Sequence, residues 1–207
     1  MNNNTVITIS RQYGSGGREL SNILAKKLGI KLYDRQIINL AAEQLGIQDM
    51  DFDKMKKLEE VSLIGRNSCL EHTLDAFLFC CYTGLRYSDF VSLNEKNIVK
   101  MDGKLWLIFD SVKTGAEVKL PLSLLFEGKA LTLLQKYQGK WSSFFSIKNN
   151  SSVNKELIRI GKLARINKHF SFHSARHTNA TLLIYKGANI TGIVAYLLYR
   201  FQGLGQS

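Results

Sequence analysis

The sequence predicts an α+β chain in two unlike parts: a short α/β fragment, then a mostly helical domain with a small three-stranded sheet. Three observations carry this. A β-branched run, Thr5-Val6-Ile7-Thr8-Ile9-Ser10, is followed by Gly14-Ser15-Gly16-Gly17 and a helical apolar pattern, which is how an α/β unit begins. Asp102-Gly103 separates two short apolar runs, and this pair suits a two-residue hairpin. Beyond residue 69, several further stretches carry apolar residues at helical spacing.

The elements follow in order. Thr5–Ser10 reads as a short buried strand. Leu20, Ile23, Leu24 and Leu28 share one helical face, and Gly29 stops that helix. Ile30–Tyr33 reads as a second strand, and Asp34 caps a helix running to about Leu45. Gly46–Arg66 is polar and charged, a junction or an exposed helix. Leu74, Phe77, Leu78 and Cys81 mark a strongly apolar helix that ends at Gly84. Ile98–Met101, Lys104–Phe109 and Val118–Leu120 read as strands, and helices follow over 122–137, 152–165, 173–187 and 190–201. The division is therefore 1–50, a junction over 51–68, and a second domain over 69–207.

The 207 residues are 45% hydrophobic and 22% charged, a composition that folds into a globular core. No apolar run reaches the roughly 18 residues of a membrane span, and Met1–Val6 lacks the pattern of a secretory signal. A cytoplasmic protein without a membrane partner is expected. Cys69, Cys80 and Cys81 are odd in number and lack metal-ligand spacing, so they read as free thiols. No metal and no cofactor is expected. Residues 1–60 carry 9 basic and 8 acidic residues, and the rest carry 19 and 9, so +10 of the +11 net charge lies beyond residue 60. A basic excess confined to one part points to a polyanionic partner, most often nucleic acid.

Ile9-Ser10-Arg11-Gln12-Tyr13-Gly14-Ser15-Gly16-Gly17-Arg18-Glu19 and Leu32-Tyr33-Asp34-Arg35 resemble the start of the cytidylate-kinase-like family of P-loop proteins. The resemblance covers residues 6–46. It implies a phosphate loop at Gly14, Ser15, Gly16, Gly17 and Arg18, where glycine amides close on phosphate oxygens at a helix N-terminus. Arg18 stands near where the usual lysine would supply charge, and no hydroxyl is placed for Mg²⁺. The loop is expected to bind a nucleotide phosphate weakly, without kinase turnover.

The second part carries a split set of cations. Arg86 lies in Thr83-Gly84-Leu85-Arg86-Tyr87-Ser88-Asp89, Lys113 in a hairpin, and His173 and Arg176 in Phe172-His173-Ser174-Ala175-Arg176-His177-Thr178. Two arginines, a lysine and a histidine suit one phosphodiester and the charge of its transition state. In this order the segments resemble the catalytic domain of tyrosine recombinases, over about 69–198. That resemblance implies that Arg86 and Arg176 clamp the non-bridging oxygens. It also implies that Lys113 protonates the leaving oxygen and His173 assists proton transfer. His177 reads as structural, and Asn179 puts an amide where the family carries an apolar residue, a core defect.

The departures matter equally. Leu197-Leu198-Tyr199-Arg200 stands where the family has a Leu-Gly-His step, and the nucleophilic tyrosine is expected beyond Ser207. Tyr196 and Tyr199 precede its position. The expectation is a truncated, integrase-like protein that binds double-stranded DNA through its phosphates but does not cut it. The alternatives are a nucleotide-binding, cytidylate-kinase-like phosphotransferase and a non-functional fusion product.

Overall fold

The structure, a computed structural model, describes residues 9, 17–30, 32 and 52–185. Helix α1 (Gly17–Leu28) opens at the last glycine of the Gly14–Gly17 motif, and Gly29 closes it at φ +62°. The strands expected at 5–10 and 30–33 fall almost entirely outside the described residues, and the helices expected at 34–45 and 190–201 wholly so.

Helix α2 (Phe52–Glu60) occupies the junction. Met55 and Leu58 are buried, so one side of it packs while its charged side faces outward. Glu59 fastens it: Tyr82 donates to Oε1 at 2.5 Å and Lys129 donates to Oε2 at 2.6 Å. Burial first, and then the Glu59 carboxylate, push the Tyr82 phenol far above its ordinary value.

Helix α3 (Glu71–Thr83) is the hub, with eleven of its 13 residues buried. An apolar surface on every side is what a helix enclosed by others requires. Gly84 ends it at φ 70°, ψ 16°, a left-handed conformation that glycine adopts without a Cβ penalty. Helix α4 (Tyr87–Ser92) follows after only three residues.

Three antiparallel strands come next, β1 (Ile98–Met101), β2 (Lys104–Asp110) and β3 (Glu117–Pro121), in the order β1-β2-β3. Asp102 at φ 49° and Gly103 at φ 74° form the expected hairpin turn. Ile98 pairs with Leu107, and Leu107 with Leu120, which lays Leu107 fully buried against the helical core.

The single helix expected over 122–137 is broken. Phe126, Glu127 and Gly128 all have positive φ, at 47°, 60° and 80°, and α5 (Lys129–Lys136) starts only after them. A non-glycine left-handed residue costs about 1–3 kcal/mol. Phe126 offsets this by packing its ring 5.7 Å from that of Tyr82.

Helices α6 (Trp141–Phe145), α7 (Asn150–Leu163) and α8 (Ser174–Tyr185) complete the described domain, and α5, α7 and α8 surround α3. Phe77, Phe79, Phe90, Phe144, Phe145 and Phe172 form an aromatic centre in which each is under 2% exposed. Gly161 is buried within α7 because a Cβ there would stand 2.9 Å from Phe170 Cε1. Glu156 on α7 accepts from Thr73 at 2.5 Å and pairs with Lys148. Burial raises its carboxyl pKa, but these two partners outweigh burial and hold it below the ordinary value.

Candidate nucleic-acid interface

Each cation is placed by a local feature of the chain. The left-handed turn at Gly84 sends Leu85 into the core, 1% exposed, and leaves Arg86 half-buried at the N-cap position of α4. Arg176 lies in the first turn of α8 and is 3% exposed. Its Nη1 donates to the Gly84 carbonyl at 3.3 Å, across 92 positions of sequence. His173 stands just before α8, exposed, with its ring centroid 5.0 Å from that of His177.

Arg86, Arg176 and His173 form one electrostatic group. Desolvation, then the positive charges of Arg176 and Arg86, hold the His173 imidazole below its ordinary pKa of 6.5. The permanent positive charge of this group resides on the two guanidiniums. Both arginines have further contacts, and one buried nitrogen of each, Nη1 of Arg86 and Nη2 of Arg176, donates no hydrogen bond.

Among the described residues no hydrogen bond or ion pair joins Lys113 to these three. It is exposed in the loop between β2 and β3, and among the described residues its side chain makes no hydrogen bond or ion pair. Its loop is nevertheless tied to the arginine's helix. Asp89 on α4 is fully buried, and its Oδ1 accepts from Val112 N at 2.9 Å and from Ser111 Oγ at 3.3 Å. Sequence reading assigns Asp89 no role, and the structure makes it the anchor of this loop. Its only sequence signal is an acid three residues after Arg86.

Asn179 is not the core defect expected from sequence. It is buried, and its Nδ2 donates to the Cys81 carbonyl at 2.9 Å. The amide is satisfied because α3 ends here with carbonyls that its own helix cannot pair.

A second basic feature lies on α7. Lys155, Arg159 and Lys162 recur at i, i+4 and i+7 on α7, all exposed, and exposed Arg165 follows. Asn154 on the same helix accepts from Phe172 N at 2.8 Å, which fastens α7 to the residue before His173. A cavity of about 380 Å³ between α2 and α3, lined by Leu58, Leu74, Leu78 and Leu133, includes none of the four predicted cations.

Of the glycine turn, Gly14, Ser15 and Gly16 lie outside the described residues. Gly17 and Arg18 open α1, and the Arg18 side chain lies outside the description. Among the described residues no group of three or more His, Cys, Asp or Glu could hold a metal ion. No helix among them is long and apolar enough to cross a membrane. Cys80 and Cys81 are buried and Cys69 is exposed, all as free thiols.

Comparison with known proteins gives two different likenesses. The model of the cytidylate kinase-like family matches residues 6–104, further than the forty or so residues that carry the visible motif. No curated protein matches the chain. Among solved structures, a lambda integrase(75-356) dimer bound to a COC' core site is 18% identical, with a TM-score of 0.55, covering 77% of this chain and 57% of that one. The XerH site-specific recombinase bound to palindromic difH substrate is 15% identical, with a TM-score of 0.50 and coverages of 76% and 51%. The XerA recombinase is 17% identical, with a TM-score of 0.51 and coverages of 86% and 70%. The chain thus spans 51–57% of the first two of these structures. A mostly helical domain built on a buried central helix, with one three-stranded antiparallel sheet, has the fold of the integrase catalytic domain.

Proposed function

We propose that this chain binds duplex DNA through its phosphates, with one phosphodiester held between Arg86 and Arg176. The observation that carries this reading is the hydrogen bond from Arg176 Nη1 to the Gly84 carbonyl, which joins the start of α8 to the turn that carries Arg86, 92 positions away in sequence. Guanidinium forks match phosphate oxygens two at a time. The basic row on α7 supplies further phosphate contacts beside the cluster, and the +10 charge beyond residue 60 suits a long polyanion. The recombinase structures similar to it include proteins bound to DNA substrates.

Lys113 enters this reading as a general acid carried by a loop that Asp89 anchors. His173, just before α8 and beside Arg176, enters the reading as a hydrogen-bond partner of a phosphate oxygen. Strand cleavage also requires a nucleophile that forms a covalent phosphodiester. Tyr196 and Tyr199 precede the position that the recombinase resemblance implies for it. On these residues the reading is binding without cutting, with 51–68 dividing this DNA-binding part from the glycine-turn part.

The test combines binding and cleavage. Anisotropy of a labelled duplex is expected to show saturable binding that weakens steeply with salt. Supercoiled plasmid is expected to stay supercoiled, with no protein–DNA band surviving denaturation. A denaturant-resistant band abolished by Arg176→Ala would overturn the non-cleaving assignment.

The match over residues 6–104 favours a second reading, a nucleotide phosphate at Gly14–Arg18. Saturable binding of CMP or ATP that is lost in Arg18→Ala, together with absent duplex binding, would put that reading first.

A further inference from the structure

We infer that Asn179 is a positioning residue for the two-arginine site: its amide and the Arg176 guanidinium together brace the end of α3 and fix how Arg176 faces Arg86. This rests on the phosphate-site reading only for its functional meaning, since the brace itself is a feature of the free protein.

The brace begins at the C-terminal end of α3. The last carbonyls of a helix have no partner within it, and here they are buried in a core where water cannot replace one. Gly84 N takes the Cys80 carbonyl at 2.8 Å, and Thr83 Oγ1 takes the Phe79 carbonyl at 2.7 Å. The Cys81 carbonyl is reached from α8 by Asn179 Nδ2 at 2.9 Å, and the Gly84 carbonyl by Arg176 Nη1 at 3.3 Å. Asn179 and Arg176 are three residues apart, one helical turn, so they act on the same face of α8.

Two donors one turn apart on one helix, holding two carbonyls three residues apart on another, define a register. Gly84 is also the turn that delivers Arg86 two residues later. The seam thus sets the distance between the guanidiniums from both sides. An apolar residue at 179 would leave the Cys81 carbonyl buried and unpaired. Its cheapest relief is a shift of α8 along α3, and such a shift carries Arg176 with it.

The measurement that separates positioning from simple stabilisation is the His173 titration, followed by NMR on the full chain without DNA. The groups facing His173 are Arg86, Arg176 and the ring of His177. Asn179→Leu keeps the bulk and removes the donor, and Asn179→Thr is measured beside it should the larger apolar side chain not fold. In whichever variant folds, the His173 pKa is expected to rise by about half a unit or more as the start of α8, which carries His173 and Arg176 with it, moves away from Arg86. An unchanged His173 pKa with only a lower melting temperature would reduce Asn179 to a structural hydrogen bond and overturn the inference. Because this readout needs no DNA, a wild-type chain that failed to bind duplex would defeat the proposed function and leave this test standing.

Discussion

Replacing Arg86 and Arg176 together by alanine is expected to weaken duplex binding at low salt by at least about 100-fold, since each charge-assisted hydrogen bond contributes about 1.5–3 kcal/mol. The slope of log affinity against log salt should also fall by about 1, the signature of one lost phosphate contact. Arg176 is 3% exposed and holds the Gly84 carbonyl, so its removal also costs stability. Two controls separate these effects. Arg86→Ala alone, at a half-buried position, should leave the melting temperature nearly unchanged while lowering affinity. Arg176→Lys keeps the charge but loses the fork, and should restore only part of the binding. A folded double variant with wild-type affinity would remove the cluster from the DNA-binding surface.

The largest stability effect falls on Phe90. Its ring lies 5.4 Å from Phe144, 5.3 Å from Phe145, 6.0 Å from Phe79 and 6.2 Å from Phe172, with no exposure. Removing a buried phenylalanine costs about 3–5 kcal/mol through lost transfer energy and the cavity left behind. Phe90→Ala should move the urea midpoint accordingly, while Phe90→Leu should cost less than about 1.5 kcal/mol if the core repacks around it. The consequence reaches the site, because Phe90 is on the short helix whose N-cap is Arg86, and Phe90 N donates to the Arg86 carbonyl at 2.9 Å. Near-wild-type stability of Phe90→Ala would show that the aromatic centre is less tightly packed than these distances imply.

What the sequence revealed was mostly local. Gly84 as the end of an apolar helix, Asp102-Gly103 as a hairpin and the three strands depend on neighbouring residues alone, and they stand as read. The His173-x-x-Arg176 spacing is likewise local, although only the fold brings Arg86 to it. The break at Phe126 and Glu127 was illegible because neither residue favours positive φ, and a ring contact with Tyr82, far back in the chain, overrides their preference. The same holds for Asp89 and Asn179. One holds a loop 23 residues later and the other a carbonyl 98 residues earlier, so neither partner could be read from its surroundings. Asn179 read as a defect because a buried amide is costly only while its acceptor is unknown.

With a phosphodiester held between Arg86 and Arg176, as proposed, the His173 imidazole beside them reports on that spot. Its pKa is held down by desolvation and then by the two arginine charges. An anion placed between them cancels that charge and offers the imidazolium a partner. In a saturated complex with duplex at low salt, the His173 pKa followed by NMR is therefore expected to rise by about one unit or more. A saturated complex in which it stays at its free value would mean that DNA binds elsewhere on the basic surface, and the claim would fail.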